Sequence, residues 1–322
     1  DDHFNTVLYT GGSSGQGITG VGFKPDWTWI KSRSHASSHV LTDSSRGVTE
    51  SLFSDTTGAE STLSGGVTAF GTDGFTLGTE GTVNTNTRTY VAWNWKANGG
   101  TATATISESG NNPAAVVQAN PTAGFSIVAY TGTQAAGTIA HGLGAVPKMM
   151  IFKNRAVDGN GWIVYHAGNT AAPETDFLFL DNTNATADNA NRFNDTAPTN
   201  SVFTLGADAN INDDGVACIG FIFAEVEGYS KFGSYTGNGN VDGAFVYTGF
   251  RPAFIITKLS SHVSSWSIVD TTRDPFNIVN QYLLAESSVV EGDFDSFDIL
   301  SNGFKARTTN AERNGDGRTV IY

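Results

Sequence analysis

Two short strings in this chain place a carboxylate and a guanidinium at one spacing. Asp43-Ser44-Ser45-Arg46-Gly47 returns as Asp270-Thr271-Thr272-Arg273-Asp274. Such a pair has two uses. In a turn, the aspartate accepts backbone N–H bonds and the arginine pairs with the carboxylate. On a surface, Asp43 and Asp270 would accept sugar hydroxyls while Arg46 and Arg273 donate, which makes a glycan-binding pair. Recurrence at one fixed place favours the turn, and glycan contact is the functional alternative.

Oxygen-rich loops are the next candidates. Asp208, Asn210, Asn212 and Asp214 alternate along Asp208-Ala209-Asn210-Ile211-Asn212-Asp213-Asp214-Gly215, and calcium is the cofactor such a loop would hold. Asp293-Phe294-Asp295-Ser296-Phe297-Asp298 and Asp158-Gly159-Asn160-Gly161 are poorer versions. Calcium takes six or more oxygens, and none of these loops has the spaced helix–loop–helix pattern. A solvated turn is the plainer reading of each. The six histidines are scattered, with His35 and His39 the nearest pair. There is no P-loop. Two facing carboxylates would suffice for glycoside hydrolysis, and spacing alone does not show them. The expectation is a protein without catalysis, with a glycan hydrolase as the enzymatic alternative.

Composition narrows the partners. The formal charge is −13 and no Lys/Arg cluster occurs, which argues against nucleic acid and against an anionic membrane surface. No apolar run is long enough for a spanning helix, so membrane insertion is not expected. The single cysteine, Cys218, lies in the apolar run Val216-Ala217-Cys218-Ile219-Gly220-Phe221 and reads as a buried thiol. The 38 glycines, together with abundant Thr, Ser and Asn, fit short strands joined by many turns.

These residues are positioned by a repeat. Phe4-Asn5-Thr6-Val7-Leu8-Tyr9-Thr10-Gly11 returns as Phe125-Ser126-Ile127-Val128-Ala129-Tyr130-Thr131-Gly132, and in short form as Phe232-Gly233-Ser234-Tyr235-Thr236-Gly237. A proline block follows each time: Gly22-Phe23-Lys24-Pro25-Asp26-Trp27-Thr28-Trp29-Ile30-Lys31, Ala145-Val146-Pro147-Lys148-Met149-Met150-Ile151-Phe152-Lys153, and Gly249-Phe250-Arg251-Pro252-Ala253-Phe254-Ile255-Ile256-Thr257-Lys258. Each first block alternates as a strand does, and each proline opens a second strand where its missing N–H is tolerated. The third strands are His39–Asp43, Trp162–His166 and Trp266–Asp270. Asp73-Gly74 and Asn302-Gly303 mark hairpins, and Ser201–Leu205 is the second unit's version. Trp27 and Trp29 align with Met149 and Ile151 and with Phe254 and Ile256. Large apolar residues of changing type read as core rather than as a carbohydrate-stacking platform.

The expected fold is all-β: three tandem antiparallel β-sandwiches, jelly-roll-like, of about 100 residues each. The boundaries are residues 4–97, a connector at 98–124 with room for one edge strand, residues 125–230, and residues 232–322. Each unit is long enough for a core of its own. Arg88–Ala92 aligns with Arg318–Tyr322, so the third unit lacks counterparts of Trp93 and Trp95. The expectation is that the native protein continues, or that a neighbour supplies the strand.

The string Phe223-Ala224-Glu225-Val226-Glu227-Gly228-Tyr229-Ser230-Lys231-Phe232-Gly233-Ser234-Tyr235-Thr236-Gly237-Asn238-Gly239, with the first proline block, resembles tandem repeats in virion proteins of tailed bacteriophages, many from aquatic hosts. The resemblance spans all but the connector. It implies a virion structural protein, a tail fibre or tail-associated module on the particle surface, without a catalytic set to transfer. Its partners would be other virion proteins and a host cell-surface glycan, and the chain would act as a homotrimer. A head fibre, capsid decoration or assembly protein is the alternative, and a glycan depolymerase the less favoured one.

Overall fold

The computed structural model describes residues 2–322, and the chain is nearly all β. The first unit contains β1 (Phe4–Thr10), β2 (Gln16–Thr19), β3 (Trp27–Ser32), β4 (Val40–Asp43), β5 (Glu50–Leu52), β6 (Ser61–Thr62), β7 (Val67–Gly71), β8 (Gly74–Leu77), the one-turn helix α1 (Gly81–Asn84) and β9 (Thr89–Trp95). The second contains β10 (Ala104–Ile106), β11 (Ala115–Asn120), β12 (Phe125–Thr131), β13 (Gly137–Ala140), β14 (Pro147–Asn154), β15 (Ile163–His166), β16 (Asp176–Phe179), β17 (Ala187–Asp188), α2 (Ala190–Phe193), β18 (Val202–Leu205), α3 (Ala209–Asn212) and β19 (Ala217–Ala224). The third contains β20 (Ser234–Thr236), β21 (Phe245–Tyr247), β22 (Phe254–Leu259), β23 (Trp266–Asp270), β24 (Val279–Leu284), β25 (Gly292–Leu300), β26 (Gly303–Ala306), α4 (Ala311–Asn314) and β27 (Thr319–Ile321).

One strand order recurs in the three large sheets: β1-β9-β3-β4-β5, β12-β19-β14-β15-β16 and β20-β27-β22-β23-β24. All the pairings are antiparallel. A small second sheet accompanies the first two units, β2-β8-β7 and β13-β18. In the third unit the nine-residue β25 carries one continuous sheet round to β26 and β21.

Strand alternation sends every large sheet into two cores. Trp27, Trp29, Leu41 and Trp93 face a core that they share with Phe125, Ile151, Trp162 and Phe221 of the second unit and with Trp266, Ile268 and Ile321 of the third. Their neighbours Ile30, Val40, Tyr90 and Ala92 face the first unit's own core. The second and third units have cores of their own as well. Private cores were expected from unit length; the shared one explains why these strands are apolar on both faces, as doubly covered strands must be. All six tryptophans are at most 8% exposed.

The Tyr-Thr-Gly string ends the first strand for a packing reason. Tyr9, Tyr130 and Tyr235 donate their hydroxyls to Val83, Ile211 and Arg313 carbonyls, inside α1, α3 and α4. A Cβ on Gly11, Gly132 or Gly237 would lie 2.2–2.4 Å from a backbone oxygen just beyond the same helix. Only glycine allows that approach. The connector departs from expectation, because β10 and β11 are two paired strands at the edge of the second sheet. Ala115, Val117 and Ala119 face the second core, and side chains this small left little apolar periodicity in the sequence.

Candidate functional site

The Asp/Arg pairs are turn locks without exposed side-chain surface. Asp43 accepts the N–H groups of Ser45 and Arg46, and Arg46 Nε donates to Asp43 Oδ2 at 2.5 Å. The other Arg46 nitrogens reach Glu60 at 2.8 Å and the Leu41 carbonyl at 2.8 Å. Arg273 repeats this on Asp270, Glu291 and the Ile268 carbonyl, and Trp93 Nε1 also donates to Asp270. These carboxylates and guanidiniums are occupied and enclosed, so they offer a sugar nothing. The turn reading holds for Asp43, Arg46, Asp270 and Arg273, and the glycan-contact reading is corrected.

The acidic loop also folds otherwise than a calcium loop. Asp208 caps α3 by accepting from Asn210 N, and it pairs with Arg192. The Asn210 amide turns back on Asp208, while its Oδ1 accepts from Gly161 N. Asn212 is fully buried; it donates to Ala135 and Gly206 carbonyls and accepts from Thr133 N. Asn84 and Asn314 make the same three-way contact in the other units. The alternation at 208–212 is therefore capping and pinning chemistry. Asp214 lies in the turn after α3. Among the described residues, no group of three or more His, Cys, Asp or Glu is placed to hold a metal ion.

The buried polar residues join the units in a ring. Trp162 Nε1 donates to the Phe53 carbonyl at 2.9 Å, from second unit to first. Trp266 Nε1 donates to Phe179 O at 2.7 Å, from third to second. His39 holds the same strand position and lies 2.9 Å from Leu284 O through Nε2, from first to third. Trp29 Nε1 donates to His39 Nδ1 at 2.8 Å, which leaves the proton on Nε2 and completes the ring with three donors. Burial pushes the His39 pKa down to about 3 and that of His166 to about 4.

A second ring is made by the lysine that ends each proline block. Lys31 donates to Ser288 O, Lys153 to Thr57 O and Lys258 to Thr183 O, each in the neighbouring unit. Burial lowers all three lysines to about 8, against the pull of Asp55, Asp181 and Glu286 respectively. Burial in turn raises those three acids above their ordinary range. Arg155 bridges to Glu60, and Arg33 to Glu291, at two of the interfaces. Burial opposes ionisation of Glu60, yet Arg155 and Arg46 together hold its carboxyl low. The third interface replaces the ions with Thr186 on Ser260 O. The sequence offered a signal for the lysines, which recur at one position in all three proline blocks.

The shared core is open at one end. A cavity of about 370 Å³ is lined by Trp27, Phe125, Met149, Phe223, Phe232, Phe254 and Ile256, among others. It lies where the third sheet is short. β9 pairs with β3 from Ser32↔Tyr90 to Trp27↔Trp95, and β19 pairs with β14 through Met149↔Phe223. β27 meets β22 only at Lys258↔Ile321 and Leu259↔Val320. Phe254–Thr257 consequently pairs with β23 alone.

A different surface stands out on the third unit. Phe245 and Tyr247 are 47% and 64% exposed, on one face of the sheet-edge strand β21. Phe276 and Phe294 are exposed in the same unit.

No curated protein and no solved structure matches the chain. The family model described as "Domain of unknown function (DUF7483)" matches residues 1–322, and the chain belongs to that family.

Proposed function

We propose that the chain is a non-catalytic virion module of the tail-fibre or tail-associated kind, which presents an aromatic face to a host-surface glycan. The repeat strings that resemble such proteins motivate the class. The observation that carries the contact is Phe245 beside Tyr247 on an open sheet edge, since exposed aromatic rings stack on sugar faces at little entropic cost. The buried acids and arginines support a scaffold role, because their polar atoms are engaged in turn locks and interface bridges.

Each sugar contact would be weak, and many copies on a particle would supply avidity. The partners of this reading are other virion proteins and the glycan, at the particle surface. A homotrimer would multiply contacts, but three-sheet closure is already made within one chain. Glycan-array binding of the wild type and of a Phe245→Ala/Tyr247→Ala double variant tests the reading. Binding that falls at least about tenfold in the double variant supports it. No glycan bound favours a decoration or assembly role, equal binding by both proteins removes Phe245 and Tyr247 as the contact, and release of reducing ends would favour a hydrolase.

A further inference from the structure

The edge strand β21 has counterparts in the other two units, and they show what the third copy adds. Ile18↔Phe75, Ile139↔Phe203 and Val246↔Phe304 are matched buried pairs of β2–β8, β13–β18 and β21–β26. The flanking pairs face the other side of each sheet. They are Gly17↔Thr76 and Thr19↔Gly74 in the first unit, and Thr138↔Thr204 and Ala140↔Val202 in the second. In the third they are Phe245↔Lys305 and Tyr247↔Gly303, and Asp298 stands opposite Lys305 on β25. The same edge thus folds twice with neither a ring nor a charge at these positions, so packing does not call for Phe245, Tyr247 or Lys305.

Beside the rings, two cations converge on one loop carboxylate. Lys305 Nζ is 2.5 Å from Asp242 Oδ1, and Arg307 Nη1 lies 3.9 Å from the same oxygen. Arg307 Nε is also 3.3 Å from Asp298, which keeps the guanidinium next to the lysine. The Asp242 side chain is 76% exposed, so it passes to water at little cost when Lys305 is offered another carboxylate.

We propose that the face at Phe245 and Tyr247 selects carboxylated sugars, with Lys305 and Arg307 receiving the sugar carboxylate in place of Asp242. This rests on the aromatic glycan contact proposed above and names its ligand class. Directly opposed residues on paired strands stand about 4.5–5.5 Å apart at Cβ. A sugar ring stacked on Phe245 therefore brings its carboxylate within reach of Lys305. An ammonium has donors only, which suits a carboxylate acceptor. The formal charge of −13 opposes acidic polymers at long range, so a preference for the acid has to come from this local pair.

The probe is an array of uronate-containing oligosaccharides, each beside its methyl ester, which keeps the hydroxyls and removes the charge. Wild type, Lys305→Met, Asp242→Asn and Phe245→Ala/Tyr247→Ala are compared, with urea midpoints to confirm folding. The expected result is an acid bound at least about tenfold more tightly than its ester, a preference that Lys305→Met abolishes. Asp242→Asn should strengthen binding of the acid by about two- to fivefold, because a competitor for Lys305 is gone. Equal binding of acid and ester, a preference unchanged in Lys305→Met, or weaker acid binding by Asp242→Asn overturns the proposal. If that happens while the double aromatic variant still loses binding, the aromatic contact stands and only the acid selection falls. If the double variant binds as wild type does, or no glycan is bound, the aromatic contact falls and the selection with it.

Discussion

The indole of Trp162 donates to the carbonyl of Phe53, 109 residues earlier in the chain and in a different sheet. Trp266 does the same to Phe179, and His39, held by Trp29, does it to Leu284. Position-equivalent donors thus reach position-equivalent carbonyls round a closed ring. Buried carbonyls need partners, so each sheet satisfies part of its neighbour. Trp162→Phe removes the donor while keeping an aromatic ring. The expected cost is about 0.5–1.5 kcal/mol, from loss of one hydrogen bond at the part-buried Phe53 carbonyl, which keeps its longer bond from Thr56 N. Urea denaturation reads this as a lower midpoint at unchanged slope.

Arg46→Leu should be more damaging. It strips the buried Asp43 carboxylate of its partner and Glu60 of one of two. Breaking a buried pair in this way costs about 3–5 kcal/mol. Glycan binding by the folded fraction should not change, because the side chain is enclosed. Denaturation midpoints and array binding of one preparation check both halves.

Acid should weaken the fold through its buried histidines. Burial keeps His39 and His166 neutral down to about 3 and 4 in the folded chain, whereas the unfolded chain protonates them near 6.5. Between those values the unfolded state binds more protons, so stability falls as pH drops from about 6.5 to about 4. Each histidine contributes a slope of up to about 1.4 kcal/mol per pH unit. His166→Gln should flatten the stability–pH curve in that window, and an unchanged slope would count against a neutral buried His166.

Alkaline pH should act in the other direction at first. Lys31, Lys153 and Lys258 lose their protons near 8 when folded and near 10.5 when unfolded. The unfolded chain holds more protons in that interval, so these lysines make stability rise with pH through it. Burial raises Tyr9, Tyr130 and Tyr235, so above about 10 they ionise more readily in the unfolded chain and reverse the trend. Lys153→Met should shrink the rise by about a third. Denaturant titrations from pH 7 to 11 measure it.

Much of the strand pattern was legible because side chains alternate within a few residues. The string Trp27–Ile30 opens β3, and Asp73-Gly74 lies at the β7–β8 hairpin, although its two turn residues are Thr72 and Asp73. Burial of Trp27, Trp29, Trp93 and Trp95 followed from their replacement by Met, Ile and Phe at matched positions. The shared core was not legible, since alternation says that Trp27 and Ile30 face opposite ways but not which sheet each meets. The Asp43–Arg46 lock was read as one of two alternatives; its enclosure depends on Glu60, a residue far outside the motif. The 208–214 loop offered a turn and a cation loop as alternatives because capping Asp208 and pinning Asn212 have the composition of both.

The central claim is that three sheets closed round one core behave as a single body rather than as three linked domains. Differential scanning calorimetry of the whole chain tests it most directly. One transition is predicted, with calorimetric and van't Hoff enthalpies in a ratio of about 1. Two or three separable transitions, each with the enthalpy of a unit of about 100 residues, would contradict it.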